Sequence, residues 1–446
     1  MNRITNNIPL LDEKILLAVF AVAISLPGLV QAQTGIDPGL TTTGTSSGQQ
    51  AVANLLNAQP CVAGSAAQNI AKATAGIAAG TVDLRACGGS YGGSAVQQLS
   101  NQADIQVNTT VLASPAETTR VVRCLSAKRN GVQEPGCEDV VAGAARTSAA
   151  PGRAIAGPFG FSVVVRGDKG KQDTVSGQTG FDASAGMLTA GLDYRFSDKW
   201  VGGLSFNYQH TNLDFDFNSG TLKNDAYRLA PFFSYAVTPD VLIDGLIGVG
   251  FLDYNSNRTC TNCVQPGTNT LQTLVNTASF RGTQWFGSIG IGKSWPLGAW
   301  ALRGYARGDY VQVNTDGYTE AGTFIANTTT ATALQVQSQR ANSLTSLLGI
   351  HASRAISTSK GVITPSARVE WVHEFEDNSR TINSQFVSVP GAMTVTTVEP
   401  VPNWVNLGIG VQMNFAHSLA GFLDYVYTYK TNASNNALSV GIRWEL

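Results

Sequence analysis

The sequence predicts an all-β fold: a transmembrane antiparallel β-barrel of about twelve strands, preceded by a short, partly α-helical N-terminal segment. Three observations predict it. First, the C-terminal stretch alternates: Val405, Leu407, Ile409, Val411, Met413 and Phe415 are separated by Asn406, Gly408, Gly410, Gln412 and Asn414. The pattern resumes at Leu423, Tyr425, Tyr427 and Tyr429, and again at Leu438, Val440, Ile442, Trp444 and Leu446. Successive side chains on a strand point to opposite faces, so each run has one apolar and one polar face. Each run is roughly ten residues, enough to cross a bilayer when tilted. Second, the connections alternate in length. Tight links (Ser197-Asp198, Thr238-Pro239-Asp240, Pro296-Leu297-Gly298, Ser357 to Lys360, Ala416-His417-Ser418) alternate with mostly longer polar ones, chiefly 253–276, 316–335 and 376–401. Short turns at one end and long loops at the other are the asymmetry of membrane barrels, and a soluble sandwich gives no reason for it. Third, charged residues make up 13% of the chain, about half the usual soluble share. Glycine is abundant at 47 residues and mean hydropathy is near neutral. A helical membrane protein would be far more hydrophobic, whereas a barrel hides its apolar face in every second residue.

The chain opens with one long apolar stretch, Ile15 to Val30, which follows Lys14, contains Pro27 and ends in Val30-Gln31-Ala32. It reads as a secretory signal peptide, residues 1–32, cleaved after Ala32; a single anchor helix is the alternative, and the run is short for one. In an exported chain the six cysteines read as disulfide partners rather than metal ligands. Proximity suggests Cys61 with Cys87, Cys124 with Cys137, and Cys260 with Cys263, the last clipping a polar loop. A net charge of -1 argues against a nucleic-acid partner.

Residues 33–156 form a separate region. The run Thr41 to Gly48 reads as flexible linker. Ala-rich segments at 49–58 and 65–79 have helical composition. Ser114-Pro115-Ala116-Glu117 is a helix start, with Ser as cap, Pro at the first position and Glu at the third. It predicts a helix to about Lys128, and 137–147 predicts another short one.

Residues 157–446 carry the barrel. Strands are expected at 157–168, 181–196, 199–217, 221–237, 240–254, 277–294, 299–315, 336–356, 361–376, 402–416, 419–430 and 436–446. A charge at the lipid midplane costs about 2–4 kcal/mol, so charged residues within strands must face the lumen. That rule places Arg228, Arg303, Arg307, Arg368 and Arg443 inside with Asp193, Asp244, Asp309, Glu370 and Asp424. The implied lumen is a hydrated channel, or a surface that holds a polar plug.

Three segments carry a family resemblance. They are Gly191-Leu192-Asp193-Tyr194-Arg195-Phe196-Ser197-Asp198 with Val201 to Phe206 after it, Asp316-Gly317-Tyr318-Thr319-Glu320-Ala321-Gly322, and Thr364 to Phe375, a Pro-initiated strand ending His-Glu-Phe. In this order they resemble the translocator domain of the autotransporter (type V secretion) family. The resemblance implies a barrel in bacterial outer-membrane lipid and delivery by periplasmic chaperones and the barrel-assembly machinery. It also implies an N-terminal segment threaded through the pore to the cell surface. Family barrels usually end on an aromatic residue that this machinery reads; here the expected signal is Trp444 with Leu446 on the same face.

Motifs pointing to other chemistry fail on context. Gly287 to Ser294 matches a phosphate-binding loop, but Trp295-Pro296-Leu297-Gly298, a turn, follows where a helix is required. His373-Glu374 has no second histidine four residues on. His210 near Asp214 and Asp216 would suit a rim enzyme, though acidic loop residues are usually just solvated. The expectation is therefore a non-enzymatic barrel, with no metal or cofactor, that anchors and exports its own N-terminal segment. Arg303, Arg307, Asp309, Arg368 and Glu370 are the expected lumen contacts for that segment. A passive diffusion channel, or an adhesin whose long loops take a host or surface ligand, are the alternatives.

Overall fold

In the computed structural model the described residues are 158–445, apart from 175–179, 198, 217–219, 265–270, 325–332, 360, 388–390 and 415–418. The signal peptide, the linker and the expected helices of 33–156 lie outside them, as do Cys61, Cys87, Cys124, Cys137 and Leu446.

Twelve strands form the wall. In chain order they are β1 (Phe159–Gln172), β2 (Phe181–Arg195), β3 (Trp200–Phe215), β4 (Gly220–Thr238), β5 (Val241–Val264), β6 (Leu271–Leu297) and β7 (Trp300–Thr315), then β11 (Gln339–Arg354), β13 (Gly361–Glu374), β16 (Asn403–Asn414), β17 (Leu419–Lys430) and β18 (Ala433–Glu445). Each pairs antiparallel with the next, β11 with β13 and β13 with β16. Closure comes from β18 pairing with β1, from Gly160 opposite Glu445 to Gln172 opposite Ala433. The closed wall leaves no sheet edge, the condition for a sheet to span a bilayer.

The alternation read from the sequence becomes the radial order of the barrel. On β7, Arg303, Tyr305, Arg307 and Asp309 are buried while Tyr310 is exposed. On β18, Leu438, Val440, Ile442 and Trp444 are all about half exposed. Leu192, Ile247, Ile289, Ile350 and Ile409 continue this apolar outer face around the wall. Aromatic residues mark its limits. Tyr194, Trp200, Tyr235, Trp295, Trp300 and Trp444 lie toward the short-turn end, and Tyr227, Trp285, Tyr310 and Trp371 toward the other. Trp285 to Trp295 and Trp300 to Tyr310 are each ten residues apart (295 − 285; 310 − 300). At a rise of about 3.4 Å and a tilt of about 40°, that is ~26 Å along the normal, close to the apolar band of a membrane barrel.

Two short turns show how the links are made. β6 and β7 are joined by Gly298-Ala299, with Gly298 at φ +63°, a conformation glycine adopts at no steric cost. Thr431-Asn432 joins β17 to β18, with Asn432 at φ 59°; asparagine is among the residues that tolerate it.

The long loops differ from expectation. The β5–β6 hairpin runs on to Val264 and Leu271, so Cys260 and Cys263 lie on the end of β5, with a register irregularity between them, and not in a loop. The other two long loops carry strands of their own: β8 (Tyr318–Thr319), β9 (Ala321–Phe324), β10 (Leu334–Val336), β14 (Thr381–Phe386) and β15 (Ala392–Thr396). A three-residue strand, β12 (Ile356–Thr358), pairs with β13 at the short-turn end. β15, β14, β10 and β8 form a separate four-stranded sheet, and β9 adds to β6. Leu334, Val336, Ile382, Phe386, Met393 and Val395 are buried under this sheet, which caps the long-loop end. A buried ion pair, Arg258 to Glu320, ties the cap to the wall, and the Leu334 backbone N–H donates to Glu320 Oε2 at 2.9 Å. Tyr318 stacks on Phe280 at 4.2 Å, and Phe280 on Tyr254 at 4.9 Å.

Candidate functional site

The lumen is the candidate site, because strand parity concentrates the buried charge there. Arg303, Arg307, Asp309, Arg368 and Glu370 are all buried. β7 supplies the first three and β13 the last two, and β11 lies between these strands. Arg307 Nε donates to Asp309 Oδ2 at 2.8 Å, and Ser288 Oγ donates to Asp309 Oδ1 at 2.6 Å. Arg368 makes a bidentate pair with Asp424, Nη1 to Oδ1 at 2.7 Å and Nη2 to Oδ2 at 2.9 Å. Glu370 accepts from Tyr305 Oη at 2.6 Å and Asn406 Nδ2 at 3.1 Å, and lies 4.0 Å from Arg368 Nε. Arg303 Cζ stands 5.6 Å from the Tyr305 ring centroid, within cation–π range.

Glycine makes the longer reaches possible. Arg368 and Asp424 lie on β13 and β17, with β16 between them. The strand between presents Gly408 directly opposite Arg368, and a Cβ there would sit 2.6 Å from Arg368 Cζ. Tyr305 reaches Glu370 across β11 in the same way, over Gly349, where a Cβ would overlap its ring. The wall is therefore clamped at the level of next-but-one strands by polar side chains lying flat on its inner surface.

Arg228, which the sequence places inside, donates to Gln284 Oε1 at 2.6 Å and to Asn207 and Gln209 at 2.9 Å each. Gln284 and His351 are buried members that the sequence reading does not single out. His351 is fully buried on β11, in register with Arg303 on one side and Arg368 on the other. Toward the long-loop end the inner wall becomes largely apolar beside the buried Arg258: Phe181, Leu213, Phe215, Leu222, Leu252 and Phe280 belong to one buried cluster. Leu213 and Phe215 share the parity of Ser205, Asn207 and Gln209 on β3, which is the signal that marks them as inward.

A cavity of about 380 Å³ opens between the polar and apolar parts. Arg307, Asp309, Arg368 and Glu370 line it with Phe181, Met187, Leu347, Val372, Trp404 and Lys430; Arg303 does not. Arg380, from the cap, also lines it and donates through Nη2 to the Asn342 carbonyl at 3.3 Å. Burial pushes the Arg380 guanidinium below its usual pKa, with Glu374 and Glu376 opposing. Among the described residues no group of three or more His, Cys, Asp or Glu could hold a metal ion.

The autotransporter β-domain family model matches residues 163–426, more than half of the chain. The chain belongs to the autotransporter β-domain family. The three resembling segments, in residues 191–206, 316–322 and 364–375, lie inside the match. Two curated relatives are the esterase EstA of Pseudomonas aeruginosa and that of Pseudomonas putida, each 22% identical over 271 residues, 59% of this chain. The match takes in 39% of each relative, so the chain spans about two-fifths of their length. Among solved structures, the translocator domain of autotransporter NalP from Neisseria meningitidis matches over 77% of this chain and all of that one, at 15% identity and TM-score 0.54. The fold is thus the autotransporter barrel, and the membrane is the bacterial outer membrane. In this setting the rim that carries the Gly298-Ala299 turn faces the periplasm and the capped end faces outward.

Trp444 stands half exposed in the periplasmic aromatic belt, on the outer face of the last strand.

Proposed function

We propose that the barrel anchors the chain in the outer membrane and carries its own N-terminal segment, residues 33–156, to the cell surface once the signal peptide, residues 1–32, is removed. The observation that carries this reading is where the chain meets the wall. β1 starts beside the end of β18, with Phe159 opposite Tyr194 and Gly160 opposite Glu445, at the periplasmic rim. A segment that joins the barrel there reaches the surface through the lumen. Arg303, Arg307, Asp309, Arg368 and Glu370 are the contacts offered to it inside, the last four lining the cavity. The wall pairing supports this: partnered charges present a polar surface without demanding a fixed counter-ion from a passing chain.

This reading gives the barrel no catalytic step, metal or cofactor. Outer-membrane lipid, periplasmic chaperones and the barrel-assembly machinery are its partners, the last reading Trp444 and Leu446. The test is an epitope tag after Thr34, probed with antibody on intact and permeabilised cells. Signal on intact cells is the expected result. Signal only after permeabilisation would sink the export reading and favour a channel with a periplasmic N-terminal region.

A further inference from the structure

Backbone pairing closes the seam between β18 and β1 along its whole length. A second connection lies over it on the inner surface. Arg443 on β18 reaches past β1 to Asp193 on β2, with Nη1 donating to Oδ2 at 2.9 Å and Nη2 to Oδ1 at 3.2 Å. Both side chains are buried, at 1% and 0% exposure. The passage between them is Gly160, directly opposite Asp193. A Cβ at that position would overlap the guanidinium and sit 2.8 Å from Asp193 Oδ2. At the other end of the seam Asn435 Nδ2 donates to Asp168 Oδ1 at 3.0 Å, a partly buried contact.

The Arg443–Asp193 pair differs from the other clamps in what it needs in order to form. Arg368 and Asp424 lie on β13 and β17, which β16 joins side by side whether or not the barrel is closed. Arg443 and Asp193 are 250 residues apart. In an open sheet they stand near opposite edges, and they meet only when β18 pairs with β1. Once made, a buried bidentate pair resists separation, because each partner alone would be a charge removed from water without its counter-ion. We propose that Arg443, Asp193 and Gly160 form a latch that is assembled only in the closed barrel and holds the β1–β18 seam shut.

The test is hydrogen–deuterium exchange on the full chain folded into lipid nanodiscs. In Arg443→Ala and in Asp193→Ala, amide exchange at residues 161–165 and 440–444 is expected to rise about tenfold or more, with β4 and β5 unchanged. Arg368→Ala removes the same chemistry away from the seam; it is expected to speed exchange in β13 and β16 and leave the seam alone. The exchanged pair, Asp193→Arg with Arg443→Asp, is expected to restore slow seam exchange. Unchanged seam exchange in Arg443→Ala would overturn the latch, as would an equal rise in Arg368→Ala. Should neither single variant fold, recovery of a folded barrel by the exchanged pair supports the latch, and its failure to fold overturns it.

Discussion

Asp424→Ala tests the clamped wall most sharply. It strips Arg368 of both its bidentate hydrogen bonds, at 2.7 and 2.9 Å, in a site where Asp424 has no exposure. Removing one partner of a buried pair costs about 3–5 kcal/mol, because the other charge stays buried. Glu370 remains 4.0 Å from Arg368 Nε, so the low end, about 3 kcal/mol, is the expectation. Removing both charges, Arg368→Met with Asp424→Leu, is expected to bring stability back to within about 1 kcal/mol of the parent, since apolar replacement of a whole pair is often neutral. With Arg368→Met and Asp424→Leu each costing about 3 kcal/mol on their own, the double-mutant cycle would then report a coupling of about 5 kcal/mol, both single losses less that of the double. Reversible urea unfolding in lipid vesicles, followed by tryptophan fluorescence, gives all the required free energies. A loss below about 1 kcal/mol for Asp424→Ala would refute the reasoning, showing that water in the lumen satisfies Arg368 as well as Asp424 does.

Other predictions follow from the same geometry. Gly408→Val drives a side chain into Arg368, whereas Gly287→Ala meets only the Leu246 carbonyl oxygen at 3.6 Å; the first is expected to cost about 1–3 kcal/mol and the second under about 0.5 in the same titration. Ile289→Arg puts a charge on the outer face in mid-band and is expected to cost about 2–4 kcal/mol, against about 0–1 for Asn255→Arg above the aromatic belt. Glu320→Ala leaves Arg258 and the Leu334 N–H without the carboxylate that ties the cap to the wall. Limited proteolysis within 316–324 should then be several-fold faster, and an unchanged rate would show that Tyr318 stacking alone holds the cap. Deleting 33–156 should raise single-channel conductance; equal conductance with and without the segment would favour the open-channel reading.

The wall was legible in the sequence because its signal is periodic. Side-chain parity is local and survives without any tertiary information, so the inward positions of Arg303, Arg368 and Asp424 followed from alternation and the penalty for charge in lipid. The cap was not legible. Thr381–Phe386 and Ala392–Thr396 do alternate, but over five or six residues inside polar loops, too short to stand out. The end of the β5–β6 hairpin was lost for a related reason: Asn255, Asn257 and Thr259 lie above the membrane, where the outer face is free to be polar and the alternation fades. The apolar upper lumen had the right parity but ran against the assumption that a pore interior is polar. Pairing was beyond reach in principle, since Arg443 with Asp193 and Arg368 with Asp424 are contacts of register and closure, 250 and 56 residues apart.

Passage of the N-terminal segment through the lumen can be caught by a photo-cross-linking residue at Val311, which lines the cavity, with the same probe at Ile289 on the lipid face as control. Cross-links are expected from position 311 to residues within 33–156 of the same chain, and none from position 289. Absence of such cross-links from 311, in a barrel shown to be folded, would contradict passage through the lumen.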